Sequence, residues 1–351
     1  MKKIIILLSL IVTNANVFAE DFIINGVELK QYRPAPSQRL TTLAQQYVPV
    51  LSVALSDKLK GKINHRLGWL NQSKTIFQST PSSVQLGMEN TPVLDQGIHG
   101  SCVVFAITAA IDAILKKGDY VSPLCSLQLG SYLQSFGYFQ SGWQGSLAYS
   151  SLAQFDAFGF VNTDKQKQVG CGGLFEYPLF EKNYGQAMSL EDFHQHSESL
   201  TEYRIGWSSV LDIYQSSHED IDMQNILTQV KTILFKGDRL IIGVLLADSD
   251  KGVAGAVGTH KDYNDTWLLT PEITQEMKQS PQYVGHALLV TGYDDNAYAK
   301  DDYGRIYRGL VTLRNSWGDK VGEHGNFYMS YDYFKTLVME IQRIRQLNSE
   351  H

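Results

Sequence analysis

Cysteine is scarce in this chain: 351 residues contain three, Cys102, Cys125 and Cys171. An odd count excludes a fully paired disulfide framework and leaves at least one thiol unpaired or partnered elsewhere. Basic charge is also short. Thirty Lys and Arg face 36 Asp and Glu, a formal charge of −6, which argues against a nucleic-acid partner because that needs a basic face. Beyond residue 20 no apolar run is long enough to cross a bilayer, so no stable membrane insertion is expected of the mature chain. Internal repeats and low-complexity tracts are missing, and 43% hydrophobic with 19% charged residues is an ordinary globular composition. Metal-ligand spacing is missing too. His194, His196 and His218 sit among acids without the spacing of a closed site and read as a solvated insertion; no metal and no organic cofactor are expected.

What is present begins with a leader. Lys2 and Lys3 precede the apolar stretch Ile4 to Val12, and Val17-Phe18-Ala19 comes before Glu20 and Asp21. This pattern reads as a signal peptide over 1–19 and implies export, to a bacterial periplasm or the medium. Residues 20–80 carry Leu40, Leu43, Tyr47, Leu51, Leu55, Leu59 and Ile63 at roughly helical spacing, and "QSTPSS" (78–83) reads as a linker. From Cys102 to Lys117 the chain is apolar on every face, which predicts a helix buried inside a domain and ended by Gly118-Asp119. Helix continues through 121–160, with a break at "SGWQGS" (141–146). "MQNILTQVKTILFKG" (223–237) predicts a helix leading into the strand "RLIIGVLLA" (239–247). Three strand-like runs follow at 286–294, 308–316 and 326–334. Helices in the first half and strands in the second predict an α+β protein of two lobes with a cleft at their junction.

Cys102 stands at the edge of its apolar run, directly after a turn bracketed by Gly97 and Gly100. At a helix start, unsatisfied N–H groups and the positive end of the macrodipole favour the thiolate, which is the nucleophilic form. The two glycines allow a tight turn and leave room for a substrate carbonyl. Gln96, six residues earlier, can set a side-chain NH₂ beside the Cys102 N–H, two donors of an oxyanion hole. A cysteine nucleophile needs a base, and the base an orienting group. His286 opens an apolar strand, and Asn315 and Trp317 close the next one, where an amide can hold one ring nitrogen and an indole can keep water away.

These segments together resemble the papain family of cysteine peptidases. "PVLDQGIHGSCVVFA" is similar to its nucleophile segment, "VGHALLVTGY" to its histidine segment, and "RNSWGDKVGEHGNFYMS" to its Asn-Ser-Trp-Gly segment. "PSSVQLGMENTPVLDQG" resembles the start of the mature domain and "SGWQGS" the glycine-rich substrate strand. The resemblance implies a two-lobe fold, a helical lobe with a buried nucleophile helix and an antiparallel sheet or barrel lobe. It implies a monomeric peptidase acting on peptide or protein substrates through a thioester acyl-enzyme. Cys102 is then the nucleophile, resting with His286 as a thiolate–imidazolium pair; Asn315 orients the ring and Gln96 serves the oxyanion hole. Gly145, Ser146 and Trp317 are the expected substrate-side residues, Gly145 through backbone hydrogen bonds and Trp317 also as a shield for the His–Asn bond.

The chain also departs from the family. Where the signature has Cys-Gly-[Ser/Ala]-Cys-[Trp/Tyr], it reads His99-Gly100-Ser101-Cys102-Val103, and Trp143 stands at the position of the first cysteine's partner. One crosslink is thus expected to be replaced by packing. Ser146 stands where a second glycine is usual. His286 follows Cys102 by 184 positions (286 minus 102) against about 130–150, which implies insertions within 165–280. The peptidase domain is read as 81–345, and 20–80 either as a pro-segment that covers the cleft or as an extra packed layer. Cys125 and Cys171 are left open as a pair. Two other functions fit the same residues: a catalytically silent binding protein of this fold, and a thiol-dependent transpeptidase or deamidase.

Overall fold

The computed structural model describes residues 21–33, 46–70, 80–138, 140–247, 254–261, 264–279 and 283–347. The leader read over 1–19 and the apolar positions Leu40 and Leu43 lie outside these residues. Strands β1 (Phe22–Gln31), β2 (Tyr47–Leu55) and β3 (Ser83–Gln85) come from the N-terminal third; β4 (Phe160–Val161) and β5 (Ser197–Glu198) form a small separate pair. The large sheet adds β6 (Ile205–Leu211), β7 (Arg239–Ala247), β8 (Gly258–Thr259), β9 (Thr266–Trp267), β10 (Tyr283–Asp301), β11 (Ile306–Arg314), β12 (Asn326–Ser330) and β13 (Val338–Gln346). It has eleven strands among the described residues, antiparallel throughout except for the β12–β9 pair. β10 is its hub, pairing with β2, β3, β7, β8 and β11.

The helical lobe packs against this sheet. Its central helix, Cys102–Leu115, is buried at every position from Cys102 to Ala113, as expected of a helix apolar on all faces. It stops slightly before Gly118, because Lys116 already takes the left-handed conformation (φ 58°) and donates its N–H to Asp112. Helices Pro123–Ser135 and Ala148–Phe158 flank it, with the expected break between them. The α+β two-lobe architecture is therefore the observed one. Cys125 and Cys171 are bridged, with Cα atoms 5.1 Å apart, and Cys102 is the free thiol. Among the described residues no helix is long and apolar enough to cross a membrane.

Two sequence expectations fail here for identifiable reasons. Tyr47, Leu51 and Leu55 are spaced by four, but four residues are also two strand periods, and Val48, Val50 and Val53 favour the strand they form. The helix starts only at Asp57, where the Ser56 hydroxyl accepts the Leu59 N–H. The run 326–334 is split as well: β12 ends at Ser330, whose hydroxyl accepts the Tyr333 N–H and caps the helix Tyr331–Leu337. The span 165–280 holds β6, β7 and the helix Met223–Phe235 besides irregular chain, which runs through 170–189.

Candidate active site

No side chain caps the helix that starts at Cys102, so its first N–H groups stay directed at the thiol. Backbone N–H groups of Ala287, Val103 and Cys102 itself stabilise the thiolate form. The Ala287 contact places the sulfur beside the residue that follows His286. β10 sets the ring: His286 pairs with Val244 of β7 in a fixed register. From the end of β11, Asn315 Oδ1 bonds His286 Nε2 at 2.8 Å. The same oxygen accepts the Ser316 N–H at 2.7 Å. It is therefore the amide oxygen that faces the ring, and Nε2 is the donor. In the neutral ring the lone pair lies on Nδ1, which is buried and has no hydrogen-bond partner. Trp317 stacks on this ring, with centroids 4.4 Å apart and planes 20° apart.

Sulfur and imidazole are both fully enclosed, which works against the expected ion pair. Burial, against the three N–H contacts, pushes the Cys102 thiol up to about 12. Burial likewise drives His286 down to about 4, against the Asn315 bond. Desolvation opposes the helix-end field and favours the neutral thiol and the neutral imidazole. No hydrogen bond joins them; the thiol is directed instead at the Gly100 carbonyl, 4.0 Å away.

The enclosure is the β1–β2 ribbon. β2 pairs with β10 immediately before the histidine, Ser52 with Val284 and Leu51 with Gly285. Gly145 has φ 112°, and a Cβ there would fall 2.6 Å from Ile24 Cγ2 and 3.0 Å from Leu51 Cδ2. The Trp317 indole donates to the Pro49 carbonyl at 3.1 Å. What remains beside His286, under Phe22, Ile24 and Leu51, is a cavity of about 30 Å³, space for a water or two and not for a peptide.

The other expected site residues are placed as follows. Gln96 is buried; its Nε2 donates to the His99 carbonyl at 2.7 Å and its Oε1 accepts from Ser316 Oγ at 2.7 Å. That leaves the second amide hydrogen uncommitted by these two bonds. Ser146 is buried with its hydroxyl on Ser151 Oγ at 2.9 Å, so it is engaged internally. The room at Gly97 belongs to the 170–189 loop: a Cβ would lie 1.9 Å from the Leu179 carbonyl oxygen, which accepts the Ile98 N–H. The two positions where the resemblance implies a crosslink do touch. His99 and Trp143 meet edge to face at 5.1 Å, and Trp143 stacks on Tyr177 at 5.6 Å. His99 Nε2 also bonds the Pro178 carbonyl. Tyr177 and Tyr184 complete this cluster; the sequence reading missed them, although the aromatic density of 175–184 was the signal. Among the described residues no His, Cys, Asp and Glu gather to hold a metal ion; His218 stacks on Tyr214 and His194 lies against Phe158.

Residues 260–349 match the family described as Peptidase C1-like, a stretch that includes His286, Asn315 and Trp317. The fold is papain-like, and the C-terminal quarter of the chain carries the family match. The cysteine protease and lectin-like domains of Cwp84, a surface layer associated protein of Clostridium difficile, superpose with a TM-score of 0.51 at 14% identity. The match covers 93% of this chain and 63% of that one, so this papain-like chain spans less than two thirds of it. Xylellain, a cysteine protease from Xylella fastidiosa, gives 0.49 at 16% identity over 92% of this chain and 98% of its own. Digestive procathepsin L 3 of Tenebrio molitor gives 0.46 at 16% identity, covering 81% and 78%. At such identities the likeness is one of fold. No curated protein matches the chain.

Proposed function

We propose that the chain is an exported cysteine peptidase made with its active site closed. Cys102 is the nucleophile. His286 Nδ1 takes the thiol proton as sulfur attacks a peptide carbonyl carbon. The remaining Gln96 amide hydrogen and the Cys102 N–H bind the developing oxyanion. The C–N bond breaks as His286 returns the proton to the leaving amine, and a thioester remains. Water, deprotonated by the same nitrogen, then hydrolyses the thioester, releasing the carboxylic acid and restoring the thiol. Asn315 keeps the ring in the tautomer this sequence needs, and the Gly145 backbone receives an extended peptide by strand addition. The observation that carries this reading is the His286–Asn315 bond, which leaves the buried Nδ1 bare.

The two readings of 20–80 divide between its parts. The β1–β2 ribbon acts as an inhibitory cover that must leave before substrate enters. The helix Asp57–Trp69 acts as a permanent layer, because Leu59, Ile63, Leu67 and Arg66 are buried in the core. Substitution of Cys102→Ala abolishes hydrolysis by ribbon-free protein; activity that survives contradicts the assignment. Closure of both reactive groups also suits a silent binding protein of the same fold. In that case the ribbon-free, folded chain fails to react with any small thiol reagent. Ligated or deamidated products in place of cut peptide identify the acyl-transferase alternative.

A further inference from the structure

The helix that begins at Cys102 ends beside a groove of about 1210 Å³. Its walls come from that helix end, the turn between Met223–Phe235 and β7, the start of β6 and the end of β13. Six basic side chains line it: Lys116, Arg204, Lys236, Arg239, Arg343 and Arg345. Only Glu89 and Asp238 oppose them, in a chain whose net charge is −6. Both acids are already engaged. Arg343 Nε bonds Asp238 at 2.7 Å, and Lys116 reaches Glu89 at 3.4 Å. Arg239 is 4% exposed and gives one N–H to the Gly87 carbonyl at 2.6 Å. The Arg204 and Lys236 side chains have no hydrogen bond or ion pair among the described residues, and Arg345 Nε is buried without a partner.

We propose that this groove binds a ligand carrying two or more neighbouring phosphate groups. Guanidinium forks match oxyanions two bonds at a time, and several of them along one trough need several anionic groups to satisfy them. Concave walls of one sign concentrate the field and draw such ligands in. The chemistry is shared by a free oligophosphate and by a phosphorylated lipid headgroup. The proposal stands apart from the peptidase reading, since none of its residues belongs to the Cys102–His286 site.

Calorimetric titration of the full chain with tripolyphosphate at low salt tests it. Saturable binding that weakens as salt is raised is expected. R204Q and R345Q should each weaken it about tenfold, and R345K should recover most of the loss in a protein of unchanged circular dichroism. K278Q, on an exposed position of the helix Pro271–Gln279 outside the groove, should leave binding unchanged. Co-sedimentation with phosphatidylcholine vesicles containing phosphatidylinositol 4,5-bisphosphate, competed by tripolyphosphate, assigns the lipid source; tripolyphosphate binding without sedimentation assigns the free one. No saturable binding, or binding that R204Q and R345Q leave intact, overturns the proposal.

Discussion

Strand β1 and the helix Asp57–Trp69 belong to one N-terminal segment and are attached in opposite ways. β1 lies on the outside, with Ile23 45% and Leu29 48% exposed. Apart from its ladder to β2 it reaches the rest of the protein through a few side chains, among them Ile24 over Gly145. The helix is keyed into the core. Leu59 and Ile63 are fully buried, and Arg66, itself buried, donates to the Val338 carbonyl at 2.8 Å and to Ser216 Oγ at 3.2 Å. The difference teaches that adjacency in sequence does not make the two parts one functional unit. β1 is held mainly by a ladder of backbone bonds that can be peeled away, and β2 is intermediate, with Val48, Val50 and Leu51 buried; the helix, a buried apolar face with a buried guanidinium, costs most to remove.

Deletion breaks the comparison most strongly. Removing 20–55 while keeping the helix should leave a folded chain whose Cys102 alkylates at least about a hundredfold faster at pH 7, since thiolate fraction and access both rise. Removing 20–80 should abolish the cooperative unfolding transition. A smaller cut at the helix alone, Ile63→Ala, should lower unfolding free energy by about 2–5 kcal/mol in a denaturant titration. It should not change the native alkylation rate, because the cover is untouched.

Acid acts on the ribbon specifically. His286 is held down to about 4 when covered and returns toward about 6.5 when opened. Opening therefore takes up a proton only below the higher value. The covered state keeps its full stability above about pH 6.5 and loses up to about 3 kcal/mol as pH falls toward 4. Cys102, held up to about 12, disfavours the covered state only above about pH 9. Amide exchange across β2, corrected for intrinsic rates, should show opening rising up to about tenfold per pH unit in the acid window. Global unfolding is a poorer readout. Buried Asp112 and Asp265, raised to about 8 and about 7 mainly by desolvation, stabilise the fold in the opposite direction, an effect lost as pH rises. The mildest change is Trp317→Phe, which removes the indole bond to Pro49. It should favour opening by about 1 kcal/mol, seen as a several-fold faster β2 exchange.

The candidate site residues were legible in sequence because chemistry restricts which side chains stand at such places. Cys102 at a helix start, His286 at a strand start and Asn315 at a strand end were read from type and position, and the structure brings the last two into contact. The replaced crosslink was legible for a similar reason: His99 and Trp143 departed together, and they meet. Protonation was not legible. A helix start argues for the thiolate, but the deciding term is burial by a strand some fifty residues upstream, a tertiary property. That strand was itself misread, because a spacing of four at Tyr47, Leu51 and Leu55 satisfies both the helical and the extended period. The groove near Lys116 was hidden behind a net negative charge, since its six basic residues come from four separated segments.

The account rests on a competent thiol kept silent by β1 and β2. Mass spectrometry of Cys102 after exposure to a thiol-directed epoxide at pH 6.5, for the intact chain and for the folded chain lacking 20–55, tests it most directly. The expected result is no adduct on the intact chain and one stoichiometric adduct on Cys102 of the shortened chain, lost on His286→Ala. Equal labelling of both chains, or no labelling of the shortened one, would contradict it.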